Sequence, residues 1–293
     1  MPTITYELAD GTRTDIKVDV GANVMRTAID ADIPGIVAEC GAAAGAVGLA
    51  GMTEPLHADQ MQKTFILVHG AWHGGWCWRR VADLLQAQGH KVFTPTLTGL
   101  GEKSHLRQDE TGLDTHVTDI LNLIEWEDLS DIVLVGHSYG GMVITGVANA
   151  LADKIEAIVY LDAFKPDEGD SVASMADPKT SAYKHKLWDD GTRAWGPLPV
   201  DYFSVLPENT DWVTAKMTPQ PLRTFLDPSG PVAGGAVIAR KTYVRALKFP
   251  SLAFDAALAA TRGDAGWNTL ELDYGHDVMI DYPSQLAAIL QDA

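Results

Sequence analysis

The stretch IVLVGHSYGG, residues 132–141, constrains the fold of this chain more than any other. An apolar run ends in Gly136-His137-Ser138-Tyr139-Gly140, a G-x-S-x-G pattern, and GMVITGVANALADK follows with helical spacing. A serine held on a sharp turn between a buried strand and a helix is exposed and reactive, and small glycines permit that strained turn. The helix opening behind it presents its positive end to negative charge developing at the hydroxyl. Ser138 is therefore a candidate nucleophile, and its setting requires a strand and a helix in direct succession.

The same alternation extends from Lys63 onward. TFILVHG, KVFTPTL, DIVLVGHS and EAIVYLDAF read as strands, and WRRVADLLQAQGH, HVTDILNLIEWEDL and GMVITGVANALADK as helices between them. KTYVRAL and NTLELDY follow as later strands, and PSQLAAILQD closes the chain as a helix. Continuous apolar strands separated by amphipathic helices predict an α/β fold, its mostly parallel central sheet covered by helices on both faces. Residues from about 165 to 239 break the pattern and are rich in Pro and Trp, which predicts a cap inserted after the strand ending at Asp162.

A nucleophilic serine needs a base. His276, in LELDYGHDVM, lies just past a late strand and before the final helix, the expected order of serine first and histidine last. Val68-His69-Gly70-Ala71-Trp72-His73-Gly74-Gly75-Trp76 follows the first strand of this domain with glycines that allow close backbone approach. The backbone N–H of Ala71, paired with that of Tyr139, is the expected oxyanion hole. Trp72, Trp76, Trp188, Trp195 and Trp212 are candidates for an apolar pocket, although each alone suits a core equally well. His69 and His73 stand four residues apart but in a glycine-rich loop, and no HExxH occurs, so neither a metal nor a cofactor is expected.

Composition sets outer limits. With 39 acidic against 22 basic residues the formal net charge is -17, which argues against nucleic acid or an anionic membrane as partner. Two cysteines, Cys40 and Cys77, are too few for a disulfide framework and suit a reducing cytosol. The polar N-terminus predicts no secretory signal, and no apolar run approaches the roughly 18–20 residues that span a bilayer. The expectation is a cytoplasmic protein acting on a small molecule, with a homodimer left open.

The opening segment is a separate problem. ITYEL and TDIKVDV are strand-like runs around Asp10-Gly11, a hairpin signal, and NVMRTAIDADI has helical spacing. With PGIVAECG these residues resemble the start of a [2Fe–2S] ferredoxin of the adrenodoxin or bacterial dioxygenase type. That family continues Cys-x5-Cys-x2-Cys, but Ala46 and Leu49 stand where the next ligands would fall. One thiolate cannot hold a cluster. Residues 1–41 are read as a truncated, ligand-less segment, 42–60 as a Gly/Ala-rich linker, and 61–293 as the main domain.

FILVHGAWHGGWCW, TPTLTGLGEKSH, IEWEDLSDIVLVGHSYGG and YGHDVM make that domain resemble an α/β-hydrolase of the small esterase and hydroxynitrile-lyase branch. Within it they are similar to bacterial esterases acting on xenobiotic esters and carbamates, carbendazim- and pyrethroid-hydrolysing enzymes among them. The resemblance implies an α/β-hydrolase fold and a third, acidic member of a catalytic triad. The usual place for that acid reads KTYVRALKFPSLAFD, with no carboxylate before Asp255. The alternative position at the end of the preceding strand holds Asp162, the favoured candidate, with Asp255 its rival. The function implied is a serine esterase or carbamate hydrolase of the carboxylesterase type. Amide hydrolysis on the same triad, hydroxynitrile lysis and non-catalytic ligand reception are alternatives. The lyases carry by resemblance a lysine at position 277 and a threonine at position 70, where this chain has Asp277 and Gly70.

Overall fold

A computed structural model describes residues 3–7, 13–17 and 62–293. The chain divides into two compact units, Met1–Ala58 and Asp59–Ala293. In the first, β1 (Thr3–Glu7) and β2 (Arg13–Lys17) pair antiparallel with Ile4 opposite Ile16, the hairpin expected around Asp10-Gly11. The helix expected in NVMRTAIDADI and the loop at Cys40 lie outside the described residues.

The second unit is built on six strands: β3 (Thr64–Val68), β4 (Lys91–Phe93), β5 (Ile132–His137), β6 (Ile155–Leu161), β7 (Arg240–Ala246) and β8 (Asn268–Leu272). They form one parallel sheet in the order β8-β7-β6-β5-β3-β4. Position in the sheet follows from composition. The apolar runs of β3 and β5 are buried almost throughout and occupy the centre, while the charged KVF and alternating NTLEL strands are the edges.

Right-handed crossovers place the helices on opposite faces. From β3 the chain steps outward to β4 through α1 (Arg79–Ala87), then reverses and crosses to β5 through α2 (Leu113–Trp126). α3 (Gly140–Ala150) continues in that new direction and packs against α2. The closing helix α4 (Pro283–Gln291) packs against α1 on the other face. Because the winding reverses between β3 and β5, the loops after them diverge and leave a crevice at the carboxyl ends of the strands, where open α/β sheets place their ligands.

Residues between β6 and β7 form the cap. It contains a short antiparallel pair joining Ala194–Trp195 to Gln220–Pro221 and a twelve-residue helix, α5 (Pro178–Asp189). Asp177 starts α5 by accepting hydrogen bonds from the Lys179 and Thr180 N–H groups, with Pro178 at the first helical position.

Candidate active site

Ser138 sits at the tip of β5 with φ 51°, a left-handed conformation that costs a non-glycine residue about 1–3 kcal/mol and persists only where the surroundings impose it. Here the imposition is hydrogen bonding. The Ser138 N–H donates to the Leu161 carbonyl, and its own carbonyl accepts from the Gly141 and Phe164 N–H groups. The flanking glycines are spatially required. A Cβ at Gly136 would lie 2.7 Å from the Gly140 carbonyl oxygen, and one at Gly140 would lie 2.8 Å from that of Val68.

His276 follows β8, and its backbone N–H donates to the Phe203 carbonyl of the cap. Its ring lies in an aromatic stack, 4.1 Å between centroids from Phe249. Nδ1 is 2.6 Å from Asp162 Oδ2. Asp162 directly follows β6, is wholly buried, and has φ 42°. Its other oxygen accepts from the Ala246 N–H and from Arg245 Nη1 at 2.7 Å. A buried carboxylate with contacts to three donors is fixed in orientation.

The structure therefore places Asp162, not Asp255, against the imidazole. Asp255 accepts instead from Nε and Nη2 of Arg245. Arg245 is 2 % exposed, its Nη1 and Nη2 also donate to the Ala246 and Phe249 carbonyls, and it joins the two aspartates without touching His276. Sequence reading passed over Arg245. A signal was present, because an arginine near the end of an interior strand is costly to bury without a paired carboxylate.

Ser138 and His276 line one cavity of about 250 Å³ beneath the cap. Among the described residues neither Ser138 Oγ nor His276 Nε2 takes part in a hydrogen bond. Such contacts commonly tighten only when substrate binds. Ala71 and Tyr139 also border the cavity, both buried, and neither backbone N–H donates to a described residue. Buried N–H groups seldom go unpaired, so two on residues that border the same cavity as the serine are candidates to receive an oxyanion. The loop carrying Ala71 is fixed by Gln220, whose Oε1 accepts from Trp72 N–H and whose Nε2 donates to Thr224 Oγ1. Trp72 has φ 63°. Gln220 carried no sequence signal of this role.

Of the five tryptophans, Trp72 and Trp195 border the cavity and meet edge-on at 5.7 Å. The other three lie elsewhere. Trp76 stacks on His73 and meets Trp212 edge-on, and Trp188 lies under the Arg193 guanidinium. The pocket's remaining apolar wall includes Phe203, Phe225, Phe249 and Phe254.

Behind the site lies a buried polar group. His73 Nε2 is 3.2 Å from Asp277 Oδ2, and His73 Nδ1 is bonded to the Ala71 carbonyl. His137 bonds to the His276 carbonyl through Nε2, and burial keeps its ring well below the usual imidazole value, hence neutral. His137, His276 and Asp277 offer ligand-type atoms within 4.8 Å of one another. An ion there would compete with the Asp162–His276 and His73–Asp277 pairs, so the donor set fits hydrogen bonding better than coordination. Asp277 is thus engaged with His73, and a Cβ at Gly70 would lie 2.8 Å from the Ser138 Cβ. Neither position offers the lysine or threonine that the lyase alternative requires.

No helix among the described residues is long and apolar enough to cross a membrane. Comparison with known proteins agrees with this architecture. The sequence profile of the alpha/beta hydrolase family matches residues 65–289. A carbendazim hydrolyzing esterase from Nocardioides sp. (strain SG-4G) is 42% identical over 232 residues, covering 76% of this chain and 96% of the relative. An extracellular alpha/beta-hydrolase from a Paenibacillus species, described as sharing structural and functional homology with tobacco salicylic acid binding protein 2, superposes with a TM-score of 0.69. It is 25% identical and covers 79% of this chain and 98% of its own. A pyrethroid hydrolase from Sphingobium faniae JZ-2 shares the fold at a TM-score of 0.60 and 22% identity, covering 79% of this chain and 97% of its own. The chain belongs to the alpha/beta hydrolase family.

Proposed function

We propose that this hydrolase cleaves a small carboxylic ester or carbamate through a covalent acyl- or carbamoyl-enzyme formed on Ser138. The observation that carries the reading is the 2.6 Å contact between His276 Nδ1 and Asp162 Oδ2, with the strained Ser138 turn in the same cavity. That contact fixes the tautomer: the Nδ1 proton faces Asp162, leaving Nε2 as the basic nitrogen. Ser138 Oγ attacks the carbonyl carbon as Nε2 accepts its proton, and the carbonyl oxygen becomes an oxyanion held by the Ala71 and Tyr139 N–H groups. The imidazolium returns its proton to the leaving oxygen, and the alcohol departs. Water repeats the sequence on the acyl-enzyme and releases the acid.

The 42% identity to the carbendazim hydrolyzing esterase supports an ester or carbamate bond as target. The aromatic walls around Trp72, Trp195 and Phe225 favour an aryl or similarly flat apolar group. Ser138→Ala tests the reading with 4-nitrophenyl acetate and an aryl carbamate. The expected result is loss of turnover on both with the melting temperature retained. Undiminished turnover by S138A would assign the chemistry elsewhere.

A further inference from the structure

Helix α5 of the cap turns one face toward the cavity, and Asp177, Thr180 and Lys184 on that face border it. Lys184 is 4 % exposed, which is unusual for a residue that ordinarily keeps its ammonium in water. Its Nζ forms no ion pair and no hydrogen bond among the described residues. Its Nζ lies 5.7 Å from the centroid of Phe225 and 5.9 Å from that of Trp195, two walls of the cavity. Asp177, the carboxylate on the same face, accepts the capping N–H bonds at the start of α5 and forms no ion pair with Lys184.

A cation over aromatic faces recovers part of its lost hydration, but an ammonium has three donors and here spends none on an acceptor. Burial lowers Lys184 to about 8, which leaves it largely protonated at neutral pH. A buried, unspent donor on the wall of a substrate cavity is a specificity element, because an occupant that supplies no acceptor leaves it unpaired.

We propose that Lys184 is a specificity-determining residue that donates a hydrogen bond to an acceptor oxygen of the substrate, a carbonyl or carboxylate oxygen separate from the scissile carbonyl. This deepens the proposed hydrolase activity and rests on it. Productive substrates are esters or carbamates with a second oxygen function that reaches the α5 wall while the scissile carbon sits at Ser138. Ser138 and His276 carry out the bond changes as before, and Lys184 transfers no proton. It contributes by distinguishing an acceptor-bearing substrate from its hydrocarbon counterpart.

The test uses the full chain and matched pairs of 1-naphthyl esters, whose leaving group carries no competing nitro oxygen. Each straight-chain acid of four to eight carbons is compared with its mono-oxo and ω-carboxy analogues. A 4-acetylphenyl ester compared with a 4-ethylphenyl ester covers the leaving-group side. In the wild type at least one pair should favour the acceptor by about tenfold or more in kcat/KM, the discrimination of a site built to bond a polar group. Preference for the oxo or the carboxy analogue identifies which oxygen is read. In Lys184→Met, similar in length and apolar, that ratio should fall to near one, and Lys184→Arg should restore part of it. The ratio within each enzyme is the readout, so a general loss from disturbed packing cancels. A wild type that treats every pair alike while hydrolysing the plain esters would overturn the role of Lys184 and leave the hydrolase reading standing. So would a ratio that survives in K184M. S138A retaining activity on the plain esters would instead overturn the hydrolase reading.

Discussion

At the residue scale the candidate site is a set of backbone and side-chain groups fixed before any substrate arrives. Asp162 contributes most, because its two oxygens join His276 to the strand end and to Arg245. Asp162→Asn should lower kcat by roughly 10⁴-fold, since the amide can present its NH₂ to His276 and select the wrong tautomer. Asp255→Asn should cost at least about tenfold less, because Asp255 reaches the imidazole only through Arg245. Steady-state rates on one aryl ester, with a thermal melt of each variant, compare the two. Equal losses would contradict the assignment. The sequence left this choice open because both aspartates follow strands, and separating them required knowing that β6 and β7 are neighbours with Leu161 opposite Val244. Ser138 and His276 were legible because each stands in a local pattern of strand, turn and helix. Arg245 left a signal in its place near the end of an interior strand, whereas Gln220 joins elements far apart in the chain and the burial of Lys184 beside Trp195 and Phe225 depends on how the cap folds.

At the scale of elements, the turn from β5 into α3 shows what the glycines do. Gly141, in the first turn of α3, faces the Phe164 carbonyl so closely that any Cβ must displace backbone rather than a flexible side chain. Gly141→Ala should therefore destabilise by about 1–3 kcal/mol, the range for forcing volume into a packed site. Activity should fall with it, because Phe164 N–H holds the Ser138 carbonyl and Phe164 borders the cavity. Chemical denaturation and a rate assay measure both effects, and unchanged values in the two would contradict the packing argument. The sheet was readable from the sequence because continuous apolar strands can be satisfied only by burial on both faces. The cap was readable only as an interruption. Its three tryptophans share one composition signal but separate in space, with Trp195 on the cavity, Trp188 under Arg193 and Trp212 edge-on to Trp76.

At the scale of the whole molecule, the buried His73–Asp277 pair ties the loop after β3 to the loop after β8. Burial alone would lower His73, but the Asp277 carboxylate prevails and raises it above 6.5. Burial alone would raise Asp277, but the charge and hydrogen bond of His73 hold it down to about 2. The His73 contribution to stability is complete below 6.5 and disappears as pH rises through its raised folded value. The Asp277 contribution is complete above 3.8 and disappears as pH falls toward 2. The melting-temperature difference between wild type and Asp277→Asn should therefore be largest between pH 3.8 and 6.5 and narrow on either side. A difference constant from acid to alkaline pH would show that the pair contributes no charge-dependent stability. The division of the chain at Ala58 and Asp59 supports a second expectation at this scale. A chain beginning at Met61 should hydrolyse aryl esters with kcat/KM within about twofold of the full chain, as an independently folded unit would. A large loss would give the opening segment a role in the activity.

The most direct measurement of the central claim is intact-protein mass spectrometry after rapid acid quench of the enzyme turning over a slowly hydrolysed aryl carbamate. A carbamoyl adduct that maps to the peptide containing Ser138, and that is absent from S138A, is the expected result. An adduct on a different residue, or unimpaired turnover by S138A, would contradict the account.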